Sequence, residues 1–208
     1  MNQAILLDMD GVILNNKQIH KHIAYRCNKF VSNVTNIHNP IKVQALNKHL
    51  YESCGHTVIG LNKLGYNIRT KDFNEYIYQD THIIDNIDKK DIRQISNFKE
   101  KCDDKNIELY IFSNASNEWC QNILDKMNVD IPIFNNNYLK PNIRTYINIQ
   151  NFFEDKQILF VDDKMINLLP VMNNKKWKTY LYCHEIYINQ SSNLINNFNI
   201  ISNLDEVI

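Results

Sequence analysis

The chain has 208 residues, 44% hydrophobic and 22% charged, with four Gly and four Pro, which suits one large domain or a core carrying an insertion. Lys+Arg 23 balances Asp+Glu 23 for a formal net charge of zero, excluding the general attraction that draws basic proteins to nucleic-acid polymers or anionic membranes. The five cysteines (Cys27, Cys54, Cys102, Cys120, Cys183) are odd in number and form no CxxC pair, so free thiols in a reducing compartment are expected rather than a disulfide framework.

The chain starts without a basic leader and reaches an acid at Asp8, unlike a secretory signal. No apolar run approaches the roughly 18 residues of a membrane span, and a cytoplasmic location is expected. Ala4-Ile5-Leu6-Leu7 reads as a buried strand. Residues 17–104 then read almost wholly helical. Ile19, Ile23, Cys27, Phe30 and Val31 follow the three- and four-residue steps of an amphipathic helix. Pro40 should break the chain, with further helices around 42–53, 56–64, 71–79 and 89–104.

Past residue 104 the pattern changes. Strands are expected at Leu109–Phe112, Ile131–Phe134, Ile158–Val161 and Trp177–Tyr182, separated by helices near 117–127, 142–152 and 165–172. The end, Ser191 to Ile208, reads as a closing helix and a final short element. Asn, Ile and Lys supply about 40% of the chain, far above ordinary usage. All three have A/T-rich codons, so base composition explains the bias, and Asn135–Asn137 and Asn173–Lys176 read as solvated loops.

Continuous apolar strands alternating with helices indicate a parallel sheet covered on both faces. The expected fold is therefore α/β: a three-layer, Rossmann-like parallel-sheet core of residues 1–15 and 105–208. A helical cap is inserted over residues 16–104. In such a sheet, ligands sit beyond the carboxyl ends of the strands. There the sequence places Asp8-Met9-Asp10-Gly11, Ser113-Asn114, Lys140-Pro141 and Asp162-Asp163.

That set suits phosphate-ester chemistry. Asp8 and Asp10 lie two apart, so on extended chain their side chains leave one face. Clustered carboxylates repel one another unless a hard cation neutralises them, and oxygen ligands favour Mg²⁺. Asp8 can attack phosphorus and form an aspartyl-phosphate. Asp10 can protonate the leaving oxygen and later activate water. Ser113 and Lys140 would hold the phosphoryl oxygens, with Asn114 beside them, and Gly11 would let the chain turn tightly beneath the phosphate. Each motif alone has a plainer reading: DxDG as a surface turn, Ser-Asn as a helix cap, Lys-Pro as a helix start. Their joint placement at successive strand ends carries the argument.

DMDGVI (8–13), FSN (112–114), KP (140–141) and VDD (161–163) resemble the four motifs of the haloacid dehalogenase-like superfamily of phosphohydrolases. The resemblance spans the whole chain and likens the insertion to that superfamily's helical cap of the C1 type. It implies Asp8 as nucleophile, Asp10 as acid/base, and Ser113 and Lys140 as phosphate-holding residues. It implies a Mg²⁺ site of Asp8, the Asp10 carbonyl and Asp162, with Asp163 in support. True dehalogenases lack an acid at the position of Asp10, so the chain resembles the phosphatase side.

Within the insertion, Leu50–Leu61 followed by Gly65-Tyr66 is similar to the cap of the pyrimidine 5′-nucleotidase branch, which makes Tyr51 and His56 candidate substrate contacts. The chain departs from that branch at Gly11-Val12, where Asn-Thr is usual, and at Asp88–Asp91, where its cap closes with Lys-Pro-Asp.

His20-x-His22 is expected to be a solvated pair, because positions two apart on a helix face differently. Cys183-His184 lacks a partner acid, and Trp119 and Trp177 read as core. The expected protein is a Mg²⁺-dependent phosphatase of a small phosphorylated metabolite, nucleoside monophosphates favoured. Alternatives are a phosphomutase on the same fold and a non-catalytic phospholigand-binding or regulatory protein. No nucleic-acid polymer or membrane partner is expected, and the protein should be a monomer or homodimer.

Overall fold

The structure, a computed structural model, describes residues 2–134, 138–183 and 198–208. β1 (Gln3–Leu7) is an apolar strand flanked on one side by β2 (Glu108–Ile111) and on the other by β3 (Gln157–Asp162). Beyond β3 lie β4 (Trp177–Tyr182) and β5 (Asn199–Ile201), giving the order β2-β1-β3-β4-β5 with every pair parallel. Strand alternation sends Ile5 and Leu7 to one face, against α5 (Lys89–Asp104) and α6 (Asn117–Met127). Ala4 and Leu6 face the other way, against α7 (Ile143–Phe152) and α8 (Met165–Leu168). The result is the expected three-layer parallel core.

Four helices separate β1 from α5: α1 (Lys17–Thr35), α2 (Pro40–Cys54), α3 (Thr57–Lys63) and α4 (Thr70–Ile77), followed by a 3₁₀ turn at Thr81–Asn86. The abundant asparagines do local work here. Asn16 and Asn39 accept first-turn N–H groups of α1 and α2, and Asn36 ends α1 in the left-handed conformation. Pro40, expected as a breaker, opens α2, where its missing N–H leaves no bond unmade. The four helices pack on themselves through Val31, Val43, Leu50 and Leu61, and through Val58, Phe73 and Ile77.

Several expectations are corrected. Ile131–Phe134 is not a strand. Only Ile133 bridges Ile111, held by Ile111 N–H to Pro132 O and Phe134 N–H to Ile111 O. Pro132 has no N–H to continue a ladder. Near the C-terminus, residues 199–201 add an edge strand, and Leu204–Val207 is a 3₁₀ turn with an Asn203/Glu206 capping box. The expected loop at 135–137, His184 and the start of the closing helix (191–197) lie outside the described residues.

α5 falls inside the insertion as bounded from the sequence. Its apolar stripe, Ile95, Phe98 and Cys102, nonetheless packs beside Ile5 and Leu109 on the sheet. Helical periodicity identifies a buried face but not the body that buries it. Both tryptophans are buried, and all five cysteines are free thiols. Among the described residues no helix is long and apolar enough to cross a membrane.

Candidate active site

Sheet register assembles the site. Leu7 lies level with Ile111 of β2 and Val161 of β3. Phe112 N–H donates to Leu7 O at 2.8 Å, and Asp8 N–H to Val161 O at 3.0 Å. Asp8, Ser113 and Asp162 therefore leave the sheet at one level of its carboxyl edge. The sequence expectation treated Asp8 and Asp10 as extended chain. Instead, β1 stops at Leu7, and a turn in which Ile13 and Leu14 N–H both donate to Met9 O carries the two acids into a common cavity. Gly11 makes that turn at φ +91°, and a Cβ there would lie 2.4 Å from Asp163 Oδ2. No other residue fits without displacing Asp163.

Lys140 is the electrostatic centre. Fully buried, its ammonium lies 3.0 Å from Asp8 Oδ1 and donates to Asp162 Oδ2 at 2.6 Å and Phe112 O at 2.8 Å. Burial works against its charge, but Asp162 and Asp8 outweigh burial and hold its pKa above the ordinary value. Asn114 fastens the backbone beneath it: Lys140 N–H donates to Asn114 Oδ1 at 2.7 Å, and Asn114 Nδ2 donates to Lys140 O at 3.0 Å. The carboxamide expected at the phosphate lines the same cavity and also grips the Lys140 backbone.

Asp162 is held from several sides. Its Oδ1 accepts from Lys164 N–H at 2.8 Å, and Asn167 Nδ2 reaches both oxygens at 3.0–3.1 Å. Tyr146 O–H in turn donates to Asn167 O. By contrast, Asp10 Oδ1 and Asp163 Oδ1 are buried with no hydrogen-bond partner among the described residues. Burial first, then Asp8 and Asp163, push the Asp10 carboxyl up to about 7. Near neutrality it is then poised between giving and taking a proton.

Asp8, Asp162 and Asp163 each offer a carboxylate oxygen, all within 4.8 Å of one another. With the unpartnered oxygen of Asp163, this all-oxygen donor set fits a hard divalent cation.

Above these groups is a cavity of about 450 Å³, walled by Ile23, Cys27, Tyr51, His56 and Phe73 from the helical insertion. The insertion meets the core at Gly55, whose φ is +77° and where a Cβ would lie 2.7 Å from Pro141 Cδ. Both expected contacts, Tyr51 and His56, reach the cavity. Tyr51 lies under Lys164 Nζ, 5.9 Å from its ring centre. His56 is buried, caps α3 by accepting Val58 N–H at Nδ1, and sets its ring edge-on to Phe73.

Burial pushes His56 down to about 4 from its ordinary 6.5, and this has a measurable consequence. The unfolded chain takes up a proton that the folded ring refuses, so stability is full above pH 6.5 and falls as pH drops toward 4. The expected loss is about 3 kcal/mol. His56→Asn keeps a capping acceptor but cannot titrate. Urea unfolding between pH 7.5 and 4 should show the wild type losing that much more than the variant, and parallel losses would mean the folded ring takes up protons freely.

Some residues at the site were missed. His20, read as solvated, lines the cavity with a buried Nε2 that has no hydrogen-bond partner among the described residues, while His22 pairs with Asp80. The signal was available, because His20, Ile23 and Cys27 share one face of α1. Asn167 and Lys164 carried no such signal. Their roles depend on Asp162 and Asp163 lying beside them in space.

Solved structures share this architecture over nearly the whole chain. A hydrolase from Pseudomonas syringae superposes with a TM-score of 0.66 at 15% identity, covering 99% of both chains. A HAD hydrolase, family IA, variant 3, from Entamoeba histolytica gives 0.62 at 14% identity, covering 99% of this chain and 95% of that one. A β-phosphoglucomutase from Clostridium difficile gives 0.62 at 13%, covering 100% and 94%. The protein has the haloacid dehalogenase-like hydrolase fold, as its motifs led one to expect. No protein-family model and no curated protein matches the chain.

Proposed function

We propose that the protein is a Mg²⁺-dependent phosphomonoesterase that works through an aspartyl-phosphate on Asp8. The observation that carries this reading is the Asp8 carboxylate, 3.0 Å from the buried Lys140 ammonium and on the same cavity as the buried Asp10. An Asp8 oxygen attacks phosphorus while the bond to the leaving oxygen breaks and Asp10 gives that oxygen its proton. Asp10 then takes a proton from water as the water oxygen attacks the phosphoryl group. Inorganic phosphate departs and Asp8 is regenerated. Lys140 and Ser113 hold phosphoryl oxygens through the transition state.

Asp8, the Asp10 carbonyl and Asp162, with Asp163 in support, would hold Mg²⁺, whose charge lets an anionic carboxylate meet an anionic phosphate. The α1–α4 insertion serves as a lid that admits substrate and excludes bulk water. Pyrimidine nucleoside monophosphates are the proposed substrates, supported by the Leu50–Leu61 similarity and by the apolar wall of Ile23, Phe73 and Ile77 around the leaving-group space.

The test is phosphate release from nucleoside monophosphates, sugar phosphates and pyridoxal phosphate, with Mg²⁺ and with EDTA. Release that stops in EDTA is expected. A folded protein that releases no phosphate, yet melts at higher temperature with a phosphorylated ligand, is a binder instead. Likeness to a structure named a phosphomutase makes transfer back to substrate the second reading. In ¹⁸O-water, hydrolysis places solvent oxygen in free phosphate, whereas a mutase makes none.

A further inference from the structure

On the wall that the insertion gives the cavity, three side chains form a hydrogen-bonded chain. Thr57 O–H donates to Asn47 Oδ1 at 2.8 Å, and Asn47 Nδ2 donates to Asn28 Oδ1 at 2.8 Å. All three line the cavity. Thr57, buried in the first turn of α3, has one hydroxyl proton, and giving it to Asn47 sets the polarity of the chain. With that direction, Asn28 turns its oxygen toward Asn47 and leaves its NH₂ group for the cavity. Among the described residues its two N–H donors have no hydrogen-bond partner, and Asn28 is half-buried, open to whatever fills the space. Ile23 and Cys27 on α1, and Phe73 and Ile77 on α4, bound the same space with apolar surface.

We infer that Asn28 is the specificity residue of this site: its NH₂, aimed by Asn47 and Thr57, donates to the oxygen at the 4-position of a pyrimidine leaving group. The inference rests on the nucleotide reading above and sharpens it. Uracil offers a 4-oxo acceptor where cytosine offers a 4-amino donor. A fixed donor accepts the first, and the second leaves both partners unsatisfied. Among pyrimidine nucleotides the site should select the 4-oxo base.

The experiment compares kcat/KM for uridine and cytidine 5′-monophosphate in the wild type, Asn28→Ala and Asn28→Asp, with the shift in Tm that each nucleotide causes. The unliganded Tm of each variant reports its folding. Wild type is expected to favour the uridine nucleotide by about tenfold. Asn28→Ala should erase the preference, and Asn28→Asp, an acceptor only, should reverse it.

A wild-type preference for the cytidine nucleotide, or one that survives in Asn28→Ala, overturns the inference. So do equal Tm shifts for both nucleotides when neither is turned over, and so does failure of both to bind while other phosphoesters are hydrolysed. In that last case the phosphatase reading stands without it. An Asn28-dependent difference in Tm shift without phosphate release sinks the phosphatase reading and leaves the inference standing.

Discussion

Replacing Asp8 with Asn should abolish phosphate release, lowering kcat/KM by about 10⁴-fold or more, while the protein stays folded. The amide has the shape of the carboxylate and can still accept Met9 N–H, which now donates to Asp8 Oδ1 at 2.8 Å. It is not a nucleophile, so no phosphoryl bond can form. Stability should hold because Lys140 keeps its 2.6 Å pair with Asp162, and one of several crowded negative charges is gone. Initial rates, thermal melts and trapping of ³²P on the protein would check this together. Labelled phosphoryl group on the wild type but not the variant is expected. Retained turnover would place the nucleophile elsewhere.

Lys140→Met should have the largest effect on stability. It leaves Asp8 and Asp162 facing each other without the cation that both now contact. Removing one member of a buried ion pair costs about 3–5 kcal/mol. The pH dependence identifies the cause. Burial already raises Asp162 above its ordinary 3.8, and Lys140 pulls it back. Asp162 stands at about 7 even beside Lys140, so without the lysine the folded carboxyl holds its proton more tightly still. Relative to the wild type, the variant then loses stability as pH rises through about 7 and recovers it as pH falls. Urea unfolding in EDTA should therefore show a wild-type-to-variant gap that is wide at pH 8 and narrow near pH 4.5. A gap independent of pH would assign the loss to packing alone.

How much could be read in advance varies along the chain in a way that packing explains. Residues 117–127 were expected as a helix and form α6 over the same range, because both ends are local: Ser116 caps the first turn and Asn128 ends it left-handed. Ile131–Phe134 looked equally apolar, yet a strand needs a partner ladder, and Pro132 allows only one bridge. Asn199–Ile201 is too short to declare itself and becomes a strand because Tyr180–Tyr182 offers a free edge. His20 was misread because spacing between two histidines says nothing about what covers each one.

The sequence by itself determined the apolar strands, the capped helices and the order of Asp8, Asp10, Ser113, Lys140 and Asp162, since hydrophobic periodicity, caps and motifs are local properties. Tertiary structure decided the rest. The packing of α5 on the sheet, the grip of Asn114 on Lys140, the hold of Asn167 on Asp162 and the aim of Asn28 all depend on residues distant in sequence. In each case the burial or the hydrogen-bond partner comes from another part of the chain, and only the folded register of β1, β2 and β3 and the packing of α1 on α2 bring those partners within reach.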